Sequence, residues 1–357
     1  MLAVVFYHSL HNGLTPGTIW FRLATRAHLG VDVFFAISGF LICGKLLEEL
    51  SRTGTISLTR FYVRRCFRIL PPVVVYLLVL ASLSACGWLT TSRWEFASTL
   101  FFVRNYFPVF HGGEVGVFTA QFWSLAVEEH FYLLWPGVLL LIGPRVRRVA
   151  WVAVLAALTV FVWRTIDAAH GWLIPYGSNV DSKTDTRLDA LLWGCLAAVV
   201  YPKLVRTFED SDKRVVRRFL WIPVVVLAGA VVLARPFVLR SLCEAILFPL
   251  LLLSTALAPE SWLGRALELP LVRWIGRLSY SIYIWQELAM FSAKPAHSPL
   301  HFLQHFPINL IAILLSACAS YYLVERPMIR LGHRLAPEKA SHRLRSGRLL
   351  ANIAAAN

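Results

Sequence analysis

Charge is scarce in this chain. Only 15% of its 357 residues are Asp, Glu, Lys or Arg, and acidic residues are the scarcer half, 20 against 35 Lys and Arg. A soluble domain carries about 25% charged and about 45–50% apolar residues, whereas here 57% are hydrophobic, 13 are Trp and the mean hydropathy is +0.62. A water-soluble fold is excluded. Also lacking are Cys-x-x-Cys spacings: Cys43, Cys66, Cys86, Cys195, Cys243 and Cys318 are scattered in or beside apolar runs. They indicate neither a disulfide framework nor a zinc site. Period-2 alternation is missing too, which argues against a membrane β-barrel. No internal repeat is evident, and the excess of basic residues forms no amphipathic basic face or nucleic-acid motif, so nucleic acid is not an expected partner.

What the chain does contain is a series of apolar runs of about 17–25 residues, the length that crosses a hydrocarbon core about 30 Å thick as a helix. The expected fold is an all-α polytopic membrane protein with about ten transmembrane helices, at 1–10, 30–47, 70–89, 118–142, 149–168, 187–202, 219–235, 239–257, 274–292 and 307–324. A re-entrant or interfacial piece is expected at 96–110. If the chain starts inside, 25 of the 35 Lys and Arg fall in inner segments, the bias of the positive-inside rule. That puts the C-terminus in the cytoplasm, in the inner membrane if the source is bacterial. Two domains are expected: a transmembrane domain over 1–330 and a basic, then Ala-rich cytoplasmic tail over 331–357, weakly ordered and touching lipid headgroups. Met1 opens without a basic n-region or small-residue cleavage site, so no cleavable signal peptide is expected. Only seven residues precede His8, about a third of a hydrocarbon core, so the first helix reads as truncated.

Phe118–Ile142 is a membrane-length apolar run holding Glu128, Glu129 and His130. An ionisable group at the centre of a spanning helix costs roughly 2.5–3.5 kcal/mol on insertion scales, so such a cluster marks a site. His8, at the outer end of an apolar helix, is an economical general base, with His11, His28, His111 and His130 as rivals. Ser38-Gly39 makes a small-residue notch that either packs closely against another helix or brings Ser38 to a ligand. Asp32 near the same helix's outer end either orients a histidine or faces solvent.

The block Arg60 to Pro72 reads as an inner helix start. Arg64 and Arg68 share a face there and, with Arg65, form a multidentate donor set for phosphates or anionic lipid. In Arg187-Leu188-Asp189 the charges are two apart and do not face each other, so each seeks a partner elsewhere, in a structural ion pair or on a substrate. Ser279-Tyr280-Ser281 and Gln286 put hydroxyls and an amide inside an apolar run, and Glu325 closes the last span. His301 and His305 have i, i+4 spacing but no evident acidic third ligand, so no metal is expected.

Six motifs occur in order: His8 in the first span, Gly-x-x-x-Phe-Phe-x-x-Ser-Gly-Phe at 30–40, Arg64-Arg65-x-x-Arg68-Ile-x-Pro, Trp123-Ser-Leu-x-Val-Glu-Glu, Arg187-x-Asp189 and Leu278-Ser-Tyr-Ser-x-Tyr. Together they resemble the membrane acyltransferase-3 family over nearly the whole chain. The resemblance implies an O-acyltransferase that moves an acyl group, often acetyl, from acyl-CoA at the cytoplasmic side to a hydroxyl of a sugar or cell-surface glycan. It implies His8 as the catalytic histidine, with Glu128 or Glu129 in the inner polar site. Arg64, Arg65 and Arg68, with Ser38, would hold acetyl-CoA or another acyl-CoA, and Asp32, Trp123, His130, Arg187, Asp189 and Tyr280 would line the substrate. Three departures stand out. The family's basic residue eleven places before the histidine would precede Met1, His130 replaces a Gln, and Gln286 replaces a His. The rival reading of the same charges is a transporter or flippase for a polar substrate, and a further rival is a structural or sensing subunit.

Overall fold

A computed structural model describes residues 29–107, 116–170, 182–208, 213–233, 237–290 and 298–337. Among these the chain is all-α. The helices in order are α1 (Leu29–Thr53), α2 (Leu58–Ala85), α3 (Arg93–Leu100), α4 (Phe122–Ile142), α5 (Val146–His170), α6 (Thr184–Arg187), α7 (Asp189–Phe208), α8 (Lys213–Leu233), α9 (Phe237–Leu257), α10 (Trp262–Leu267), α11 (Pro270–Met290), α12 (Ile308–Ser320) and α13 (Arg326–Leu335). A π turn at Tyr321–Glu325 joins the last two into one continuous rod.

Seven helices of the described residues are long and apolar enough to cross a membrane: α1, α2, α4 with its preceding turn, α5, α7, α9, and the rod of α12 and α13. Two more expected spans fall on α8, whose apolar stretch is only Trp221–Val231, and on α11, which carries Arg273, Arg277, Gln286 and Glu287. The expected span at 1–10 lies outside the described residues. The chain is a polytopic all-α membrane protein. Exposed Leu78, Leu133, Leu141, Leu155 and Leu315 cover its outer surface, as an acyl-chain solvent requires.

The centre of the bundle is the crossing of α1 with α7. A Cβ on Gly39 would lie 2.0 Å from the Leu191 carbonyl oxygen, and one on Gly194 would lie 2.4 Å from that of Ala36. The backbones touch because both residues are glycine, the small-residue packing that replaces the hydrophobic effect between helices in lipid. Ala153 and Ala157 of α5, Ala190 of α7, and Cys43 and Cys195 are fully or nearly fully buried in the same core. The Ser38-Gly39 notch therefore packs as its residue sizes suggest.

Two boundaries differ from expectation. The span expected at 70–89 is instead part of a 28-residue helix from Leu58 to Ala85 that runs through Pro71 and Pro72. Neighbouring helices stabilise a transmembrane helix enough to carry proline, so the arginine block is part of the span. At the other end, helix continues past 331 to Leu335, with Gly332 seated on Phe67 of α2. The segment expected at 96–110 forms α3 and a 3-10 turn at Arg104–Tyr106, and residues 108–110 lie outside the described set. Helix ends at Thr53, Leu58, Ile142, Val146 and Phe208 define the end of the bundle with the basic loops. Ala85, Phe122, His170 and Asp189 define the opposite end.

Candidate active site

Inside the bundle, α1, α2, α4 and α11 bring polar groups together. Glu128 of α4 is 3% exposed, and Tyr132, one turn on, donates its phenol to the Glu128 Oε1 at 2.6 Å. The Ser38 hydroxyl of α1 is in hydrogen-bonding contact with that carboxylate and with the phenol. Arg65 and Arg68 of α2 are the cationic neighbours of Glu128, and Arg65 also faces Glu129. The Arg65 guanidinium lies 4.4 Å from the centre of the Tyr132 ring, a cation–π contact. Glu129 buries Oε1 with no hydrogen-bond partner among the described residues.

Helix α11 closes this centre. Tyr280 donates to the Ile69 carbonyl at 2.9 Å, right after Arg68, and Ser281 donates to Glu325 Oε2 at 2.9 Å. Glu325 sits on the π turn as a second carboxylate neighbour of Arg68. Six expected site residues, Ser38, Arg65, Arg68, Glu128, Glu129 and Tyr280, thus converge from four helices. Arg64 does not join them. It points to the last helix and donates to the Ala336 carbonyl at 3.2 Å, because one residue along a helix is a rotation of about 100°.

The other expected substrate residues make contacts of their own. Arg187 of α6 pairs with Asp32 of α1, while Asp189 accepts two bonds from Arg164 of α5 at 3.0 and 3.2 Å. Arg164 also donates to the Thr186 carbonyl at 2.9 Å and is 0% exposed. The Arg-x-Asp motif thus tethers one turn of chain to two helices. His130 makes a 2.6 Å hydrogen bond with the Thr184 hydroxyl, which also accepts from Asn105 at 2.9 Å. Tyr106 donates to Asp185 at 2.7 Å, and Trp163 does so at 2.6 Å. Burial and that carboxylate push the Tyr106 phenol up to about 12. Buried Arg104 donates to Thr119 and Gly116, and desolvation brings it down to about 10 against the pull of Glu95. Trp123 packs edge-on against Phe35, with ring centres 6.2 Å apart. His301 lies on the 3-10 turn Pro299–Gln304, with His305 at its end.

Expected catalytic His8 and its rivals His11, His28 and His111 lie outside the described residues. Several participants had gone unremarked. Tyr132 stands four residues after Glu128, and the signal was that i, i+4 spacing. Arg164 and Asp167 are charges inside an otherwise apolar run, the same signal that marks Glu128. Tyr76, which donates to the Phe118 carbonyl, and Gln121, which donates to the Ile284 carbonyl, had none beyond polarity in an apolar segment.

A lipid-embedded helical bundle with buried carboxylates against two arginines defines a membrane protein with a polar centre. The acyltransferase domain model matches residues 1–325, and the chain belongs to the membrane acyltransferase-3 family. It is 30% identical over 305 residues to peptidoglycan O-acetyltransferase OatA of Listeria monocytogenes, covering 80% of this chain and 47% of that one. It is 28% identical over 373 residues to the putative peptidoglycan O-acetyltransferase YrhL of Bacillus subtilis (94% and 54%) and 27% identical over 312 to a putative O-acetyltransferase of Staphylococcus aureus strain COL (80% and 48%). The chain spans about half the length of these curated relatives. No solved structure gives a significant match.

Proposed function

We propose that the chain is the membrane-embedded part of an O-acyltransferase that moves an acyl group, acetyl by the names of its relatives, from acyl-CoA on the cytoplasmic side to a hydroxyl of a cell-envelope glycan. The observation that carries this reading is the convergence of Arg65 and Arg68 with Glu128, Ser38 and Tyr132 inside the bundle. Planar guanidinium groups suit phosphate and carboxyl-derived oxygens. Flanking carboxylates keep both arginines compact and oriented while no donor is bound.

In this scheme Arg65 and Arg68 hold the anionic donor, and its thioester reaches up between α1, α2 and α4. His8 takes the proton of the acceptor hydroxyl as its oxygen attacks the thioester carbonyl. The ester forms, the carbon–sulfur bond breaks, and the CoA thiolate leaves to take up a proton. General-base help of this kind contributes about 10²–10⁴-fold. The chain reconstituted in liposomes with labelled acetyl-CoA and a saccharide acceptor tests the scheme. His8→Ala should abolish ester formation with protein level intact, and Arg68→Ala should raise the donor KM about tenfold or more, the worth of a lost charge-assisted hydrogen bond. Undiminished transfer by His8→Ala removes the mechanism.

A further inference from the structure

Arg68 sits on a stretch of α2 that its own helix holds poorly. Proline has no N–H, so Pro71 and Pro72 withhold the intrahelical bonds that the carbonyls of Phe67 and Arg68, four residues back, would otherwise accept. Two missing rungs loosen the backbone where a guanidinium has to be aimed, and a transmembrane helix with such a gap relies on its neighbours to hold its course.

That hold comes from α11 and the π turn. Tyr280, buried, donates its phenol to the Ile69 carbonyl at 2.9 Å, one residue past Arg68. Ser281, next to it and with no exposed surface, donates to Glu325 Oε2 at 2.9 Å. Glu325 is 2% exposed and has Arg68 as its cationic neighbour, as Glu128 does from α4. Adjacent residues of α11 thus reach the backbone beside Arg68 directly and its side chain by way of Glu325.

The π turn explains why a carboxylate stands there. Buried Ile313, Ala317 and Ser320 mark the inward stripe of α12, and a uniform period of 3.6 residues would carry it on to Val324 and Leu331. The wider turn at Tyr321–Glu325 slips the stripe by one residue. Glu325, Gly332 and Ala336 are buried instead, while Leu323 and Leu331 are exposed. Turns of this kind are rare and occur often at functional sites.

We infer that Tyr280 and Glu325 are positioning residues that aim the Arg68 guanidinium at the acyl donor, Tyr280 through the backbone and Glu325 through its charge. The inference rests on the acyl-transfer reading. It moves Tyr280 from the substrate lining, where the family resemblance put it, to the support of the donor site.

The test is a pair of double-mutant cycles on the full chain in liposomes, with acetyl-CoA as donor and chitotetraose as acceptor. Tyr280→Phe removes only the phenol's hydrogen bond, and Glu325→Gln keeps an acceptor for Ser281 while removing the charge. Each should raise the acetyl-CoA KM, and its Kd by calorimetry in detergent, about 3- to 10-fold, the worth of one modest polar interaction, with kcat and the chitotetraose KM little changed. In an Arg68→Ala background neither should add to the loss, because a residue that works through Arg68 then has nothing left to aim. Losses that multiply with that of Arg68→Ala, or that fall equally on donor, acceptor and melting temperature, give the two residues a structural role and overturn the inference. Unchanged or tightened donor binding overturns it too. Acetyl-CoA binding that follows the expected pattern in a chain that forms no ester upholds the positioning and fails the transfer reading instead, so the two failures are separable. An unaltered chain that binds no acetyl-CoA overturns both.

Discussion

Arg164 has no exposed surface and spends its guanidinium on Asp189 and the Thr186 carbonyl, so its removal leaves a bare carboxylate in the interior. Breaking a buried pair from one side costs about 3–5 kcal/mol, whereas replacing both partners with apolar groups is often neutral. Arg164→Met should therefore lower folded yield and melting temperature sharply in detergent, and the double variant Arg164→Met with Asp189→Leu should recover most of the loss. Lys183 makes a pH prediction. It lies outside the spans, fully buried, 3.9 Å from Asp167, and burial lowers its ammonium below the usual lysine value although Asp167 and Asp185 pull the other way. Between the folded and unfolded values the unfolded chain holds the extra proton, so stability rises with pH there. The destabilisation is complete below the folded value and is gone above about pH 10.5. Relative to Lys183→Met, the unaltered chain should gain melting temperature as pH climbs toward about 10.5.

At the scale of elements, the contact of α1 with α7 admits no side chain at Gly39 or Gly194. Gly39→Leu should force the backbones apart, reduce folded yield, and disturb Ser38 and hence Glu128 on the neighbouring helix. Gly229→Leu on α8, where a Cβ meets nothing within 4 Å, should be tolerated in the same expression assay. Much of this level was legible in the residues. Ser38-Gly39 announced a notch, the two-residue spacing of Arg187 and Asp189 announced separate partners, and Glu128 and Glu129 in an apolar run announced a polar centre. Less legible was the reach of α2, since proline pairs stop helices in water but not in a packed bundle. Nor did spacing along one helix reveal that Arg64 turns away to Ala336, because that depends on where α13 comes to rest. The contact of Gln121 with the Ile284 carbonyl was hidden for a related reason: it joins segments some 160 residues apart and involves no formal charge.

For the whole molecule, the distribution of basic residues between the two ends sets orientation in the membrane. Alkaline phosphatase fused after Asn357 should stay inactive and a fluorescent protein fused there should fluoresce, the pattern of a cytoplasmic C-terminus. An active phosphatase would invert the orientation and with it the side from which acyl-CoA reaches Arg65 and Arg68. The rod of α12 and α13 spans 28 residues, about 42 Å, against a core of about 30 Å. Its last turns therefore stand among headgroups, bringing Arg330 and Arg334 there four residues apart. The family membership explains why so much of the order of motifs could be anticipated, and the interior shows what those motifs do for one another.

The turn that carries Arg187 and Asp189 has an evolutionary corollary. Its two charges are neighbours in sequence yet answer to different helices, Asp32 on α1 and Arg164 on α5. Inverting either couple by itself would set like signs side by side within the turn's small compass, and exchanging the two residues would confront each with its own kind. A lineage that changes one member of the quartet alone therefore leaves a buried charge without its counterpart, a cost that only a paired replacement avoids.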